Sequence, residues 1–344
     1  SGSRRLHGAR HDLGSHRVNV GAIASHRVRS VAMCATAEPL TLFGVDVETN
    51  AKEIEEPAAQ DILRRIKTTK VHLSDGTTVS TSYVDWAKDE AAWIDPPLVL
   101  IPGFDSSVLE YRRLAPLLVE AGFRVVILDI IGLGFTERPP GADYGPTGKR
   151  DHLACFVKQV LDNRQIVLVG ASLGGATAID FALAYPDKTS KLILIDAQGF
   201  IDGNGGQFLI PPFDRLGVAI LKSISLRNMA NRMAYFNKEQ FATMDAMRIG
   251  RLHCFCRNWE QASIAFIKSG GYSLSKSVSS VQCPVLVLWG EDDEILDNSY
   301  VDRFEAALRE NLQENLRIHV IPECGHVCHL EHSHLTRKYI ETFL

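Results

Sequence analysis

Long apolar runs, an excess of positive charge and regularly spaced cysteines are all missing from this chain of 344 residues. No stretch approaches the roughly 18 consecutive apolar residues that a membrane-spanning helix needs, so no membrane span is predicted. The net charge is −4, from 37 basic and 41 acidic residues, and this balance argues against a nucleic-acid partner. Seven scattered cysteines form no recognisable disulfide framework, which favours a reducing compartment.

The first 37 residues differ in composition from the rest of the chain. They carry six arginines, four histidines and a single acid, Asp12, and they contain no lysine. An Arg-containing, acid-poor N-terminus is typical of organelle transit peptides, and residues 31–35 resemble a plastid processing site. We therefore predict a transit peptide over residues 1–37 and a plastid location. The alternative for this segment is a disordered basic tail, and the alternatives for the location are the cytoplasm and the mitochondrion.

Strands and helices are predicted to alternate along residues 68–199 and 282–344. Residues 70–73 and 78–86 flank an Asp75-Gly76 turn, which predicts a hairpin. Further strands are predicted over 98–101, 124–131, 165–169, 191–196, 284–289 and 316–321, and helices over 111–121, 149–163, 174–185 and 299–312. Apolar strands separated by helices predict an α/β fold with a mostly parallel sheet covered on both faces. Residues 38–67 are predicted to be a linker and a short helix.

Residues 200–281 interrupt this alternation and predict an inserted α-helical cap. The segment reads as helices without a clear strand, and it contains four of the five methionines. Its methionine and aromatic side chains belong either to a plain core or to an adaptable apolar lining over a site. The apolar residues expected near that site are Phe208, Leu209, Phe213, Met229, Met233, Phe236, Phe241, Met244 and Phe266.

The sharpest local motif is Gly170-Ala171-Ser172-Leu173-Gly174, between a predicted strand and a predicted helix. A serine on a sharp strand-to-helix turn adopts strained backbone angles, and small neighbours keep the adjoining elements from colliding. Such a turn raises the serine Oγ above the sheet and places the next backbone N–H at the helix N-terminus. The motif therefore predicts Ser172 as a nucleophile, with Gly170 and Gly174 in supporting positions.

These residues resemble the α/β-hydrolase fold family over about residues 68–344. That family orders its triad as serine, acid and histidine, with the last two placed after late strands. Gly290-Glu291-Asp292-Asp293 is similar to the family's acid loop, and Cys324-Gly325-His326 is similar to its histidine loop. The resemblance implies Asp293 as the acid and His326 as the base. The alternatives that stay open are Asp196, Asp292 and Asp297 for the acid, and His329, His332 and His334 for the base.

The resemblance also implies an oxyanion hole made of two backbone N–H groups. Leu173, which follows the nucleophile, supplies one. The second is expected from Phe104 in Pro102-Gly103-Phe104, because Gly103 and Phe104 match the family's His-Gly-x loop. Pro102 departs from that pattern, since a histidine is usual there. A Pro-Gly-Phe sequence at this point is similar to pheophytinase-like plastid hydrolases.

By this resemblance the chain is expected to be a serine hydrolase that cleaves an ester of a small, hydrophobic substrate through an acyl-enzyme. No cofactor and no metal are expected. Residues 129–136 resemble a structural turn of the family, and they lack the third glycine of a dinucleotide-binding loop. The alternative function is a small-molecule, hormone-like receptor on the same fold with little turnover.

Overall fold

The computed structural model describes residues 40–89, 92–203 and 221–344. The predicted transit peptide lies outside the described residues, and so do Phe208, Leu209 and Phe213 of the predicted cap.

Within the described residues, eight strands form one sheet. The strands are β1 Lys67–His72, β2 Thr78–Trp86, β3 Ile94–Ile101, β4 Phe123–Leu128, β5 Ile166–Ala171, β6 Thr189–Ile195, β7 Val285–Gly290 and β8 Leu316–Ile321. Their order across the sheet is β1-β2-β4-β3-β5-β6-β7-β8. Strand β2 runs antiparallel to β1 and β4, and the other neighbouring pairs are parallel. The predicted hairpin and the mostly parallel sheet are confirmed.

Helices cover the sheet, and further helices lie among the described residues between β6 and β7. They are α1 Val45–Ala51, α2 Pro57–Arg65, α3 Leu114–Glu120, α4 Pro146–Val160, α5 Leu173–Ala184, α6 Ile224–Ala234, α7 Lys238–Phe241, α8 Met244–Arg251, α9 Trp259–Lys268, α10 Ser299–Leu312, α11 Cys328–Glu331 and α12 Ser333–Phe343. Among the described residues, no helix has the length and apolar character to cross a membrane.

Both faces of the sheet are buried. In β3, Leu98 and Leu100 join one apolar cluster, whereas Val99 and Ile101 join the cluster on the opposite face. This follows from the two-residue period of a strand, which sends successive side chains to opposite sides. Continuous burial explains why the central strands read as unbroken apolar runs in the sequence.

Several boundaries differ from the sequence prediction by a few residues, and β4 and α3 are two examples. Strand β4 ends at Leu128 instead of residue 131, because Asp129 begins a turn, and α3 begins at Leu114 after a short 3-10 helix, Val108–Tyr111. Residues 40–66, predicted as a linker and short helix, form a 3-10 helix followed by α1 and α2. Their Val47, Ile54 and Ile62 are buried in the apolar core.

The turn after β4 explains the glycines of residues 129–136. Asp129 is buried and its carboxylate accepts hydrogen bonds from Ser82 Oγ, Val108 N and Phe135 N, each at 2.8 Å. Gly134 has φ +52°, and a Cβ built there would lie 1.9 Å from Asp129 Cγ. Because it has no Cβ, Gly134 leaves room for the Asp129 carboxylate, which links β2 to the loops that contain Val108 and Phe135.

The described helices between β6 and β7, α6 to α9, are called the cap below. Side-chain caps start three of them, because Ser223 Oγ accepts from Leu226 N, Asn237 Oδ1 accepts from Gln240 N and Thr243 Oγ1 accepts from Ala246 N. The described part of the predicted cap segment contains no strand, in keeping with its helical sequence pattern.

Candidate active site

Ser172 lies at the junction of β5 and α5, with φ +50° and ψ −121°. A non-glycine residue in this region costs of order 1–3 kcal/mol, so the surrounding contacts must hold it there. Its backbone N donates to Ile195 O at 3.0 Å, and its carbonyl accepts from Gly175 N and Gln198 N at 2.9 Å each. Although Ser172 occupies the N-cap position of α5, its side chain makes no capping hydrogen bond. The Oγ is therefore not committed to the helix end.

The motif glycines allow close packing around this turn. A Cβ on Gly170 would lie 2.4 Å from Gly174 O, and one on Gly174 would lie 2.1 Å from Ile101 O. Both distances are shorter than any real contact of a Cβ. Strand β5, helix α5 and the end of β3 can approach this closely only because these positions have no side chain.

His326 and Asp293 are in direct contact. His326 Nδ1 lies 2.7 Å from Asp293 Oδ2, and both side chains are buried. The other carboxylate oxygen of Asp293 accepts from Ile295 N at 2.7 Å and from Leu296 N at 2.9 Å. These two backbone donors fix the carboxylate, which in turn orients the imidazole ring with its Nε2 edge free for another partner.

The competing acids of the sequence analysis lie elsewhere. Asp292 and Asp297 are exposed. Asp196 is fully buried, and its carboxylate accepts from Gly290 N at 2.7 Å and from Cys328 Sγ at 3.1 Å. Burial, opposed by the charge of His326, raises the pKa of Asp196 to about 6. The geometry thus brings Asp293, and not these three, into contact with His326.

The competing histidines are also separated from this contact. His329 is buried with its Nε2 3.3 Å from Glu110 Oε1, and its ring packs against Tyr111. His332 contacts the carbonyl of Glu323 at 2.9 Å, and His334 is exposed.

The charge around His326 favours its protonated form. Burial alone would lower the pKa of His326, but its hydrogen bond to Asp293 and the charges of Asp293, Asp196 and Glu110 outweigh that effect. The pKa is therefore raised above the ordinary value of 6.5. A histidine with this pKa can accept a proton near neutral pH and hold it as an imidazolium.

Gly103 and Phe104 lie on the loop after β3, facing the nucleophile. A Cβ on Gly103 would lie 3.2 Å from Ser172 Cβ, so this loop passes close to the turn that bears Ser172. Leu173 is the first residue of α5, where backbone N–H groups lack a partner within the helix. The Phe104 ring packs on Phe266 of the cap, with 5.9 Å between ring centroids.

The sequence analysis missed Glu110, a buried carboxylate that supports this loop. Its Oε2 accepts from Gly103 N at 2.8 Å. Burial raises its pKa, but contacts with His329, Ser106 and Gly103 N–H lower it more, so the pKa of Glu110 lies below its ordinary value. Tyr111 OH also donates to Ile101 O at 2.9 Å. These contacts hold the loop that begins with Pro102. The only sign of Glu110 in the sequence was a single acid between apolar neighbours.

A cavity of about 350 Å³ opens between this loop and the cap. Gly103, Phe104, Ser172 and His326 all line it. The cap contributes Ala230, Ala234, Tyr235, Ala246, Met247 and Ile249. The described residues expected there from sequence, Met229, Met233, Phe236, Phe241, Met244 and Phe266, are not among its lining residues. Helices α6 and α8 instead present their alanines, which leaves more open space than large side chains would.

A cluster outside the triad has the residue types of a metal site. Ligand atoms of Asp105, His253 and Cys254 lie within 4.8 Å of one another. However, the guanidinium of Arg227 contacts the Asp105 carboxylate and lies 3.0 Å from Cys254 Sγ. A cation already occupies this space, so the cluster fits a metal ion poorly.

Comparison with known proteins agrees with this fold. Residues 98–338 match the alpha/beta hydrolase family. A plant relative, "Alpha/beta hydrolase domain-containing protein VTE7" of Arabidopsis thaliana, is 33% identical over 85% of this chain and 87% of its own length. The 2-hydroxy-6-oxononadienedioate/2-hydroxy-6-oxononatrienedioate hydrolase of Paraburkholderia xenovorans is 26% identical over 68% of this chain and 80% of its own.

Among solved structures, a thermophilic esterase from Thermogutta terrifontis superposes with a TM-score of 0.66. The match covers 80% of this chain and 97% of that one at 19% identity. At this identity the likeness concerns the fold alone.

Proposed function

This chain belongs to the alpha/beta hydrolase family and is a hydrolase, and on that premise we propose that it is a serine esterase with Ser172, His326 and Asp293 as its triad. The observation that carries the proposal is the 2.7 Å contact between His326 and Asp293 beside a cavity that Ser172 also lines. A carboxylate in contact with an imidazole, and a serine hydroxyl that lines the same cavity, are the parts needed to activate a serine.

The proposed reaction has two halves. His326 takes the proton of Ser172 Oγ as the oxygen attacks the ester carbonyl, and Asp293 stabilises the imidazolium that forms. The N–H groups of Phe104 and Leu173 receive the negative charge of the tetrahedral intermediate, with Gly103 supporting the loop. His326 then protonates the departing alcohol, and water repeats the sequence to release the acid.

We propose that the substrate is a small, apolar, uncharged ester. The apolar part of the cap side of the cavity is made of alanines with Met247 and Ile249, beside the polar Arg227, Asn231 and Tyr235. Burying a methylene against the apolar part contributes about 0.8 kcal/mol. Both arginines in the lining contact carboxylates, Arg112 with Glu56 at 2.8 Å and Arg227 with Asp105. Their charge is thus already balanced, which favours a neutral substrate over one that carries a carboxylate.

The test is labelling with a fluorophosphonate followed by assays on p-nitrophenyl esters. We expect labelling on Ser172 and turnover of uncharged esters, both lost in Ser172→Ala with its melting temperature retained. Removing a triad member costs on the order of a million-fold in kcat. Labelling that Ser172→Ala leaves unchanged would contradict the nucleophile assignment. Ligand-induced stabilisation of the wild type without labelling or turnover would instead favour a receptor.

We also propose that residues 200–281 act as the cap domain over the two core segments 68–199 and 282–344, and that residues 1–37 direct the protein to the plastid. The plant relative and the basic, acid-poor composition of residues 1–37 support the second proposal. A fluorescent reporter fused to these residues should enter plastids in plant cells. Cytosolic fluorescence would contradict it.

A further inference from the structure

Asp105 follows Phe104 in the loop that bears the proposed oxyanion donor, and three stretches of the cap converge on its carboxylate. Oδ1 accepts from Trp259 Nε1 of α9 at 2.8 Å and lies 2.8 Å from His253 Nε2. Oδ2 contacts the guanidinium of Arg227 on α6. The partners lie 122 to 154 residues away along the chain, so these contacts exist only when the cap is seated on the core.

The carboxylate is ionised and confined. Burial would raise the pKa of Asp105, but the hydrogen bond and charge of His253 and the charge of Arg227 bring it down to about 2. The backbone of Asp105 has φ +52°, a conformation that a non-glycine residue keeps only under restraint. Arg227 Nη1 also donates to the Asp105 carbonyl at 3.4 Å. The cap therefore restrains both the side chain and the main chain of this residue.

The conformation of Asp105 bears on the direction of the Phe104 N–H, because the two residues are adjacent on one short loop. The loop is held from the core side by Glu110, through Gly103 N. From the cap side it is held by the partners of Asp105. Loss of the second set leaves the loop held only from the core, at Gly103 N and at Ser106 O, which accepts from Gly134 N at 3.0 Å.

We propose that Asp105 is a positioning residue that couples the cap to the oxyanion loop, so that the Phe104 N–H is correctly aimed only while the cap helices contact the Asp105 carboxylate. This inference rests on the proposed serine-esterase function. It makes the seated cap a part of the catalytic geometry as well as a wall of the cavity.

The matched comparison is Asp105→Asn against Asp245→Asn. Asp245 of α8 also joins the cap to the core, since its carboxylate accepts from Glu55 N at 3.0 Å and Glu56 N at 2.7 Å. It lies outside the residues that line the cavity. Both variants weaken a contact between cap and core, but only the first touches the oxyanion loop.

Four quantities are measured for each variant: kcat and KM for p-nitrophenyl butyrate, affinity for a trifluoromethyl ketone, and melting temperature. The ketone adds to Ser172 Oγ and places an oxyanion in the hole. For Asp105→Asn we expect kcat to fall about 10- to 100-fold with little change in KM, because a misplaced catalytic group costs rate more than binding. The ketone should bind more weakly by a similar factor. Asp245→Asn should lower the melting temperature and leave kcat and ketone affinity unchanged.

A milder variant keeps the inference testable if Asp105→Asn does not fold. Trp259→Phe removes one hydrogen bond to Oδ1, and we expect a several-fold fall in kcat with a matching loss of ketone affinity. Wild-type kcat and ketone affinity in the folded Asp105 variant, or in Trp259→Phe, would overturn the inference while leaving the esterase proposal intact. Absence of fluorophosphonate labelling of wild-type Ser172 would instead remove the esterase proposal, and this inference with it.

Discussion

Replacing Asp293 with asparagine tests the proposed triad, because the substitution changes which ring nitrogen of His326 carries the hydrogen. In the wild type, one oxygen of Asp293 accepts from Ile295 N and Leu296 N, and the other faces His326 Nδ1. Asparagine can keep the two backbone hydrogen bonds only with its oxygen toward the amides. Its NH₂ group then faces His326 Nδ1, which must lose its hydrogen to accept.

This change moves the imidazole hydrogen to the wrong side of the ring. With Nδ1 as the acceptor, neutral His326 carries its hydrogen on Nε2, and it cannot take the proton of Ser172. Turning the amide around would point its NH₂ group at Ile295 N and Leu296 N, so that both hydrogen bonds are lost, at about 0.5–1.5 kcal/mol for each. The unfavourable tautomer is thus fixed by the surroundings of residue 293.

We expect Asp293→Asn to lower kcat about ten-thousand-fold, the size of effect found when a triad acid becomes an amide. That factor corresponds to about 5.4 kcal/mol of activation free energy. The assay is steady-state hydrolysis of p-nitrophenyl butyrate, with the melting temperature measured to verify folding. Asp292→Asn, an exposed neighbour, is the control and should keep the wild-type kcat. A kcat within tenfold of wild type in Asp293→Asn, or a larger loss in Asp196→Asn, would refute the assignment of the acid.

Three further predictions follow from the site and the fold. As the pH falls, kcat/KM should decline with a midpoint above pH 6.5, because the neutral form of His326 is the base and its pKa is raised. A pH–rate profile with a midpoint below that value would contradict the assignment of His326. In a series of p-nitrophenyl esters from two to eight carbons, kcat/KM should rise about fourfold per methylene until the cavity is full, and a series that is flat or peaks at acetate would exclude an apolar acyl site. Gly134→Ala should lower the melting temperature more than Gly141→Ala. Both positions have positive φ, but only at position 134 would the new Cβ collide with the Asp129 carboxylate. Equal melting temperatures would show that the carboxylate moves aside.

The nucleophile turn and the sheet could be predicted from the sequence because their determinants are local. Ser172 and its glycines lie within five consecutive residues, and the strand-to-helix change around them is visible in the apolar pattern. Continuous apolar runs marked the buried strands, since such strands have both faces covered. Strand ends were less certain, as at Leu128, because the turn that ends β4 depends on hydrogen bonds to Asp129 from distant parts of the chain.

Several features of the site were decided only by the tertiary structure. The sequence left Asp196, Asp292, Asp293 and Asp297 as rival acids, and the contact with His326 depends on how two loops meet at the end of the sheet. The sequence pattern marked the cap as helical and apolar, but it does not reveal which side of each helix faces the cavity. For that reason Ala230 and Ala246 line it where larger residues were expected.

Glu110 and Asp105 illustrate the same division most clearly. Each is a lone acid beside apolar neighbours, and the type of residue gives no hint of its partner. Glu110 finds Gly103 N seven residues away, whereas Asp105 finds Arg227 across 122 residues of chain. A buried charge needs donors to offset its desolvation, and the packing of the cap on the core supplies them. Local sequence therefore determined the nucleophile turn and the strands, and long-range packing determined the environment of each charge around them.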